Sequence, residues 1–207
     1  MIKIIQQKGF TLVETIIAIG LFTGLMVILT TFQKDIFINN AFVQNSLMIE
    51  SEARGALKRA IAELRAATQS NDGQFPIVIA DENKVTFFSD IDNDGLREKI
   101  RYFVATSSSS SLMRGVIKPT GIPTTYVGSE EILSTVVHNI VNPTTTPVFD
   151  FYDSAYSGTS SPMVSPVDIV SVRLIGITIM IDTNPTRAPA VMTFSSQVMI
   201  RNLKDNL

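Results

Sequence analysis

The sequence predicts an α+β chain in which one long N-terminal helix is followed by an antiparallel β-sheet head. Three observations carry this. An uncharged apolar run opens the chain, an amphipathic repeat of helical period continues it, and from Pro76 onward short β-rich runs alternate with Gly, Pro, Ser and Asn. No second stretch of helical period follows, so a sheet packed against the first helix is the economical architecture.

The apolar run comes first. Residues 15–33 contain no charged side chain, and about 20 residues at roughly 1.5 Å each span the roughly 30 Å hydrocarbon core of a bilayer. The segment reads as a single membrane-spanning helix. Lys3 and Lys8 precede it, which by the positive-inside rule keeps that end cytoplasmic and sends the rest of the chain outward. A secretory signal has its small-residue cleavage junction after the apolar stretch. Here the best junction, Gly9, lies before it, so cleavage there leaves the anchor on the mature chain. Glu14 is an ionisable group at the edge of an apolar helix, a placement that costs several kcal/mol unless an interface or a partner compensates it. Gly20 and Gly24 form a small-xxx-small pair that suits close helix packing. No proline occurs before Pro76, so nothing forces a kink.

Beyond the anchor Phe42, Ile49, Ala53, Leu57, Ala60, Leu64 and Ala67 recur at steps of three, four or seven, the spacing of one helix face. Glu50, Glu52, Arg54, Lys58, Arg59, Glu63 and Arg65 are expected on the solvated side, with Glu50 and Arg54 in the favourable i,i+4 order. Breakers at residues 69–73 and Pro76 end the pattern. One helix is therefore expected from about Phe10 to about Thr68. Residues 10–33 form its membrane part, residues 34–69 an amphipathic part packing on the head, and residues 70–207 the β-rich head.

In the head, residues 85–88, 99–104, 148–152, 169–175 and 192–200 read as strands. Residues 106–111 and 144–147 read as turns or loops, and residues 182–189 as the connection of a final hairpin.

Composition excludes several functions. A net charge of −2 over 207 residues, with no basic stripe, gives no support for nucleic-acid binding. The absence of cysteine rules out disulfides, thiol catalysis and zinc-thiolate sites, and a lone histidine, His138, cannot build a His-rich metal site. His138 lies in an apolar strand-like context and reads as structural. No nucleophile elbow, phosphate loop or catalytic carboxylate pair occurs, so no enzyme activity and no obligatory cofactor are expected.

Asp90, Asp92 and Asp94 alternate and are followed by Gly95, the arrangement that turns several oxygens toward one cation. Glu98 stands at the ninth position of such a loop, but Arg101 occupies the twelfth, where an EF-hand needs its bidentate glutamate. The flanking runs are strands. Two readings stay open, a calcium-clamped hairpin and a plain polar turn.

The string Lys8, Gly9, Phe10, Thr11, Leu12, Val13, Glu14 resembles the processing site of type IV prepilins and type II secretion pseudopilins. A long N-terminal helix followed by a sheet is also similar to the pilin fold, and the closing strand running into Arg201, Asn202 and Leu203 is similar to the end of the larger minor pilins and minor pseudopilins. The resemblance implies a leader of residues 1–9, removed after Gly9 by a prepilin peptidase that methylates the new N-terminus at Phe10. It implies that Glu14 pairs with the N-terminal amine of a neighbouring subunit. It also implies a minor pilin or pseudopilin, held by one pass in the bacterial inner membrane with its head outside the cytoplasm. An assembly platform and other subunits would then draw it into a pilus or pseudopilus. The alternative from another class is a membrane-anchored adhesin or calcium-dependent binding module, which predicts ligand affinity in residues 70–207.

Overall fold

The computed structural model describes residues 9–106, 110–182 and 191–203. The chain is α+β, with one helix, α1 (Leu12–Arg65), followed by eight strands in two antiparallel sheets among the described residues. It divides into two units, Met1–Leu47 and Met48–Leu207.

In the first unit α1 is the only regular element among the described residues. It begins one residue after Thr11, whose side chain accepts a hydrogen bond from the Glu14 N–H at 3.3 Å while the Glu14 carboxylate accepts one from the Thr11 N–H at 2.9 Å. This reciprocal pair is a capping box, satisfying two backbone donors that the first turn cannot use. The large apolar side chains that follow, from Leu12 through Leu29 and Phe32, are exposed all around the helix. The helix is long and apolar enough to cross a membrane. Its threonines keep their hydroxyls within the helix: Thr15, Thr23, Thr30 and Thr31 donate to carbonyls three or four residues back, at 2.7–2.9 Å for the shortest bond of each. Such back-bonding satisfies these hydroxyl donors within the helix itself.

In the second unit the remainder of α1 buries Ala53, Ala56, Leu57, Ala60 and Leu64, and Ala67 beyond its end. Small residues at these steps let the helix backbone approach the strands closely, and the face they form was the one the periodicity predicts. The helix stops at Arg65, three residues before the expected end, where the chain is taken over by the sheet through the Thr68 N–H bonding the Phe88 carbonyl at 2.9 Å.

The larger sheet is a meander, β1 (Ile77–Asp81), β2 (Lys84–Ser89), β3 (Glu98–Thr106), β4 (Ser110–Ile117) and β5 (Ile132–Val137), neighbours in that order. The smaller holds β6 (Phe149–Tyr152), β7 (Leu174–Ile181) and β8 (Met192–Met199). One apolar cluster joins helix and sheets, with Phe87, Tyr102, Leu112, Phe149, Ile175, Ile177 and Ile179 essentially inaccessible. The Asn142 side chain stitches β7 to the chain leaving β5, donating to the Thr178 carbonyl at 2.9 Å and accepting from the Met180 N–H at 2.8 Å.

Two expectations need correction. The strand expected at residues 169–175 begins only at Leu174, because Asp168 folds residues 168–171 into a turn: its side chain accepts from the Val170 N–H and the Ser171 hydroxyl, and its carbonyl from the Ser171 N–H. The run expected as a loop at residues 106–111 supplies the start of β4, which pairs with β3 from Thr106↔Ser110 onward. β7 and β8 pair as an antiparallel hairpin whose expected connection falls mostly in residues 183–190, outside the described residues.

Candidate functional site

The N-terminal candidates are contiguous. Gly9 and Phe10 precede the helix in irregular backbone, and both are exposed, Phe10 at 86%. The peptide bond between them is thus outside any hydrogen-bonded element, the state a peptidase cleft requires of a substrate. Lys3 and Lys8 lie outside the described residues. Glu14 takes the Thr11 N–H and the Thr11 hydroxyl on the same oxygen, Oε2, at 2.9 Å each. Oε1 has no protein partner among the described residues, and a carboxylate can accept about four hydrogen bonds in all. The Thr-x-x-Glu spacing of Thr11 and Glu14 ahead of an apolar run is also, in the sequence itself, a helix-start signal.

The acidic loop connects β2 to β3, closing a hairpin with Ser89 opposite Glu98. Its backbone turns through left-handed conformations at Asn93 (φ 58°) and Gly95 (φ 87°), and the second of these favours glycine. Asp90 accepts the Gly95 N–H on Oδ2 at 3.1 Å, and Asp94 accepts the Leu96 N–H at 2.7 Å. The base is tied down by Asn71, whose side chain accepts the Arg97 N–H at 2.6 Å, and by Tyr126, whose hydroxyl donates to the Arg97 carbonyl at 2.8 Å.

Of the four acidic candidates, the fold brings three together. Ligand oxygens of Asp90, Asp92 and Glu98 lie within 4.8 Å of one another, and Asp94 is not among them. Glu98 is only 1% exposed. Its Oε2 accepts the Ile91 N–H at 3.1 Å, while Oε1, like Asp90 Oδ1, is buried with no hydrogen-bond partner. Burial pushes the Glu98 carboxyl above its usual range; the Ile91 N–H opposes the shift and the charges of Asp92 and Asp94 add to it. Asp92 is held below its usual range by Lys118, whose Nζ donates to Oδ2 at 2.7 Å. Lys118, at the end of the β4 run and 26 residues from Asp92, carried no signal in the sequence. Arg101 is engaged elsewhere, in a bidentate pair with Glu131 at 2.9 and 2.6 Å and over the Phe103 ring.

Two other polar contacts depart from expectation. Glu63, expected on the solvated face, is 11% exposed in its side chain and accepts the Tyr102 hydroxyl at 2.8 Å and both Arg114 Nε and Nη2 at 3.1 and 2.7 Å. Burial and the Glu63 charge push the Tyr102 hydroxyl above its ordinary value. His138 is exposed rather than enclosed, and its Nδ1 lies 2.8 Å from Glu52 Oε1. The partners of Glu63 and Glu52 lie 39 to 86 residues away, beyond the reach of any local pattern.

No family model, no curated protein and no solved structure matches the chain.

Proposed function

We propose that this protein is a minor pilin or pseudopilin, a structural subunit that joins or primes a type IV pilus or a type II secretion-type filament. The observation that carries the reading is the string from Gly9 to Glu14, set at the start of a helix whose next 19 residues, 15–33, carry no charge. The exposed, non-helical Gly9–Phe10 bond suits cleavage by a prepilin peptidase. The chain itself performs no catalysis in this reading.

The mechanism is assembly. Before extraction the exposed apolar side chains of α1 sit in lipid; afterward they pack against the helices of other subunits. Glu14 Oε1 accepts the methylated amine of a neighbour's Phe10 while Oε2 keeps its own helix capped. In a low dielectric an unpaired carboxylate and an unpaired ammonium are both costly, so the pair favours one axial register over others. The head faces away from the cytoplasm and contacts neighbours or substrate at the filament's end.

The test is intact mass and N-terminal sequencing after co-expression with a prepilin peptidase, for wild type and Gly9→Ala. A mature chain beginning at methylated Phe10, absent in the variant, is the expected outcome. An uncleaved wild-type chain, with the peptidase active on a second substrate, refutes the reading.

A further inference from the structure

We propose that β5 is a self-docking edge: residues 132–135 pair antiparallel with the same residues of a second copy of this chain, joining the two larger sheets across a two-fold axis. The inference needs no part of the filament reading.

Four strands bound the two sheets among the described residues, and β5 is the unguarded one. β1 follows Pro76, shifts register between Ile77 and Ile79, and ends in Asp81, all devices that blunt an edge. β6 is covered: the Glu82 carbonyl accepts the Phe149 N–H at 3.0 Å, and the Phe151 carbonyl accepts the Met163 N–H at 2.8 Å. β8 turns the polar Thr193, Ser195 and Gln197 to solvent. In β5, by contrast, Ile132 is 66% and Leu133 51% exposed. Successive strand residues point to opposite faces, so this stretch stands clear of the core on both. It holds no charge and no proline. The Ser134 and Thr135 hydroxyls turn back onto β4, toward the Arg114 carbonyl at 3.3 Å and the Met113 sulfur at 3.2 Å, so neither caps the outer main chain. Among the described residues no backbone hydrogen bond outside the β4 ladder reaches residues 132–135.

What remains is a row of main-chain donors and acceptors that another extended strand can pair. The same stretch of a second copy fits, because Ile132, Leu133, Ser134 and Thr135 oppose no like charges when paired with themselves. An extra residue at Val136, where Met113 pairs with Thr135 but Leu112 with Val137, limits the contact to residues 132–135. Beside it a groove of about 530 Å³ between Thr135 and Val136 on one side and Met48, Gly55 and Ala56 of α1 on the other leaves room for added side chains. Four residues make a short ladder, and anchoring of both copies in one membrane through α1 would raise their effective concentration. Symmetry narrows the register. Opposed residues of an antiparallel pair share a face, and a two-fold axis perpendicular to the sheet keeps every side chain on its face, so the central residue opposes its own copy. Within this stretch the centre is Leu133 or Ser134.

The chain has no cysteine, so single-cysteine variants report this contact without background. The experiment oxidises full-length Leu133→Cys and Ser134→Cys with copper phenanthroline in detergent micelles, beside a control, Val164→Cys, at a position 86% exposed and outside β5. Opposed Cα atoms in such a pair are about 4.5–5.5 Å apart, within the disulfide range of about 4.4–6.8 Å. One of the two β5 variants is expected to form at least about fivefold more covalent dimer than Val164→Cys, and Ile132→Lys in that background to lower the yield about fivefold, since lysine guards an edge. The substituted side chains are all exposed, so the head is expected to stay folded. Dimer no higher than the control in both β5 variants overturns the proposal and leaves the edge to a different chain. A yield unchanged by Ile132→Lys also overturns it, assigning the cross-link to association through α1.

Discussion

Replacing Arg114 by methionine removes two of the three hydrogen bonds that Glu63 receives and leaves its carboxylate with the Tyr102 hydroxyl alone. The side chains are 13% and 11% exposed, so water cannot fully take the guanidinium's place. Breaking a buried pair on one side typically costs about 3–5 kcal/mol. The remaining Tyr102 bond and the slight exposure put this case near the lower end, about 3 kcal/mol, or a fall of about 6–12 °C in Tm for a unit of this size. The pair itself contributes far less than that, because both charges had to be desolvated to form it. The double variant Glu63→Leu with Arg114→Met is therefore expected within about 1 kcal/mol of wild type, well above Arg114→Met alone. The chain has no tryptophan, so unfolding is followed in urea by near-UV circular dichroism of its four tyrosines, one of which, Tyr102, belongs to the network. A loss below about 1 kcal/mol in Arg114→Met, or a double variant as damaged as the single one, would show that water reaches Glu63 and that the network is a surface feature.

Gly115 lies opposite Arg101 in the sheet, and a methyl group there would come within 1.9 Å of the Glu131 carboxylate. Gly115→Ala is expected to expel that side chain and lose about 1–2 kcal/mol in denaturant melts, most of which disappears if Glu131 is already alanine. Asp150 is raised above its usual value by burial and then by the Glu82 charge; its contribution to stability is fully present below the ordinary carboxylate value and is lost as pH rises through the folded one. Asp150→Asn should accordingly melt above wild type near about pH 7 and converge with it toward about pH 3, and an offset constant across that series would exclude ionisation as the cause. Thr11→Ala and Glu14→Ala both break the capping box, at about 1 kcal/mol of local helix stability measurable by amide exchange in the first turn. Only Glu14→Ala is expected to abolish filament incorporation while leaving processing intact; equal defects in the two variants would assign the effect to the cap.

The helix was readable because its signals are local: an uncharged run, then apolar residues at helical steps from Ile49 to Ala67. Strands β2, β3, β6 and β8 were readable from alternation and aromatic content. β4 was hidden because its serines and Arg114–Gly115 resemble turn chemistry, and β5 because Ile132 and Leu133 are both exposed and show no alternation. β1, five residues directly after Pro76, was not among the expected strands because so short an apolar run shows little alternation. At the acidic loop the spacing of Asp90, Asp92 and Glu98 was legible, whereas the exclusion of Asp94 and the arrival of Lys118 depend on side-chain direction and on a strand two places along the sheet. Glu63 shows the limit most plainly. Helical period placed it toward water, and only the tertiary positions of Tyr102 and Arg114 draw it inside.

The back-bonded threonines of α1 carry a consequence for any passage between environments. A polar side chain that depends on water or on a neighbour for its hydrogen bond must break that bond when its surroundings change, and the rupture adds to the barrier. Thr15, Thr23, Thr30 and Thr31 bring their acceptors with them. On the filament reading proposed above, the segment would exchange a lipid shell for a proteinaceous one with these hydroxyls needing no new partner, so the work of transfer would fall on Glu14 and the helix end instead of being spread along the shaft.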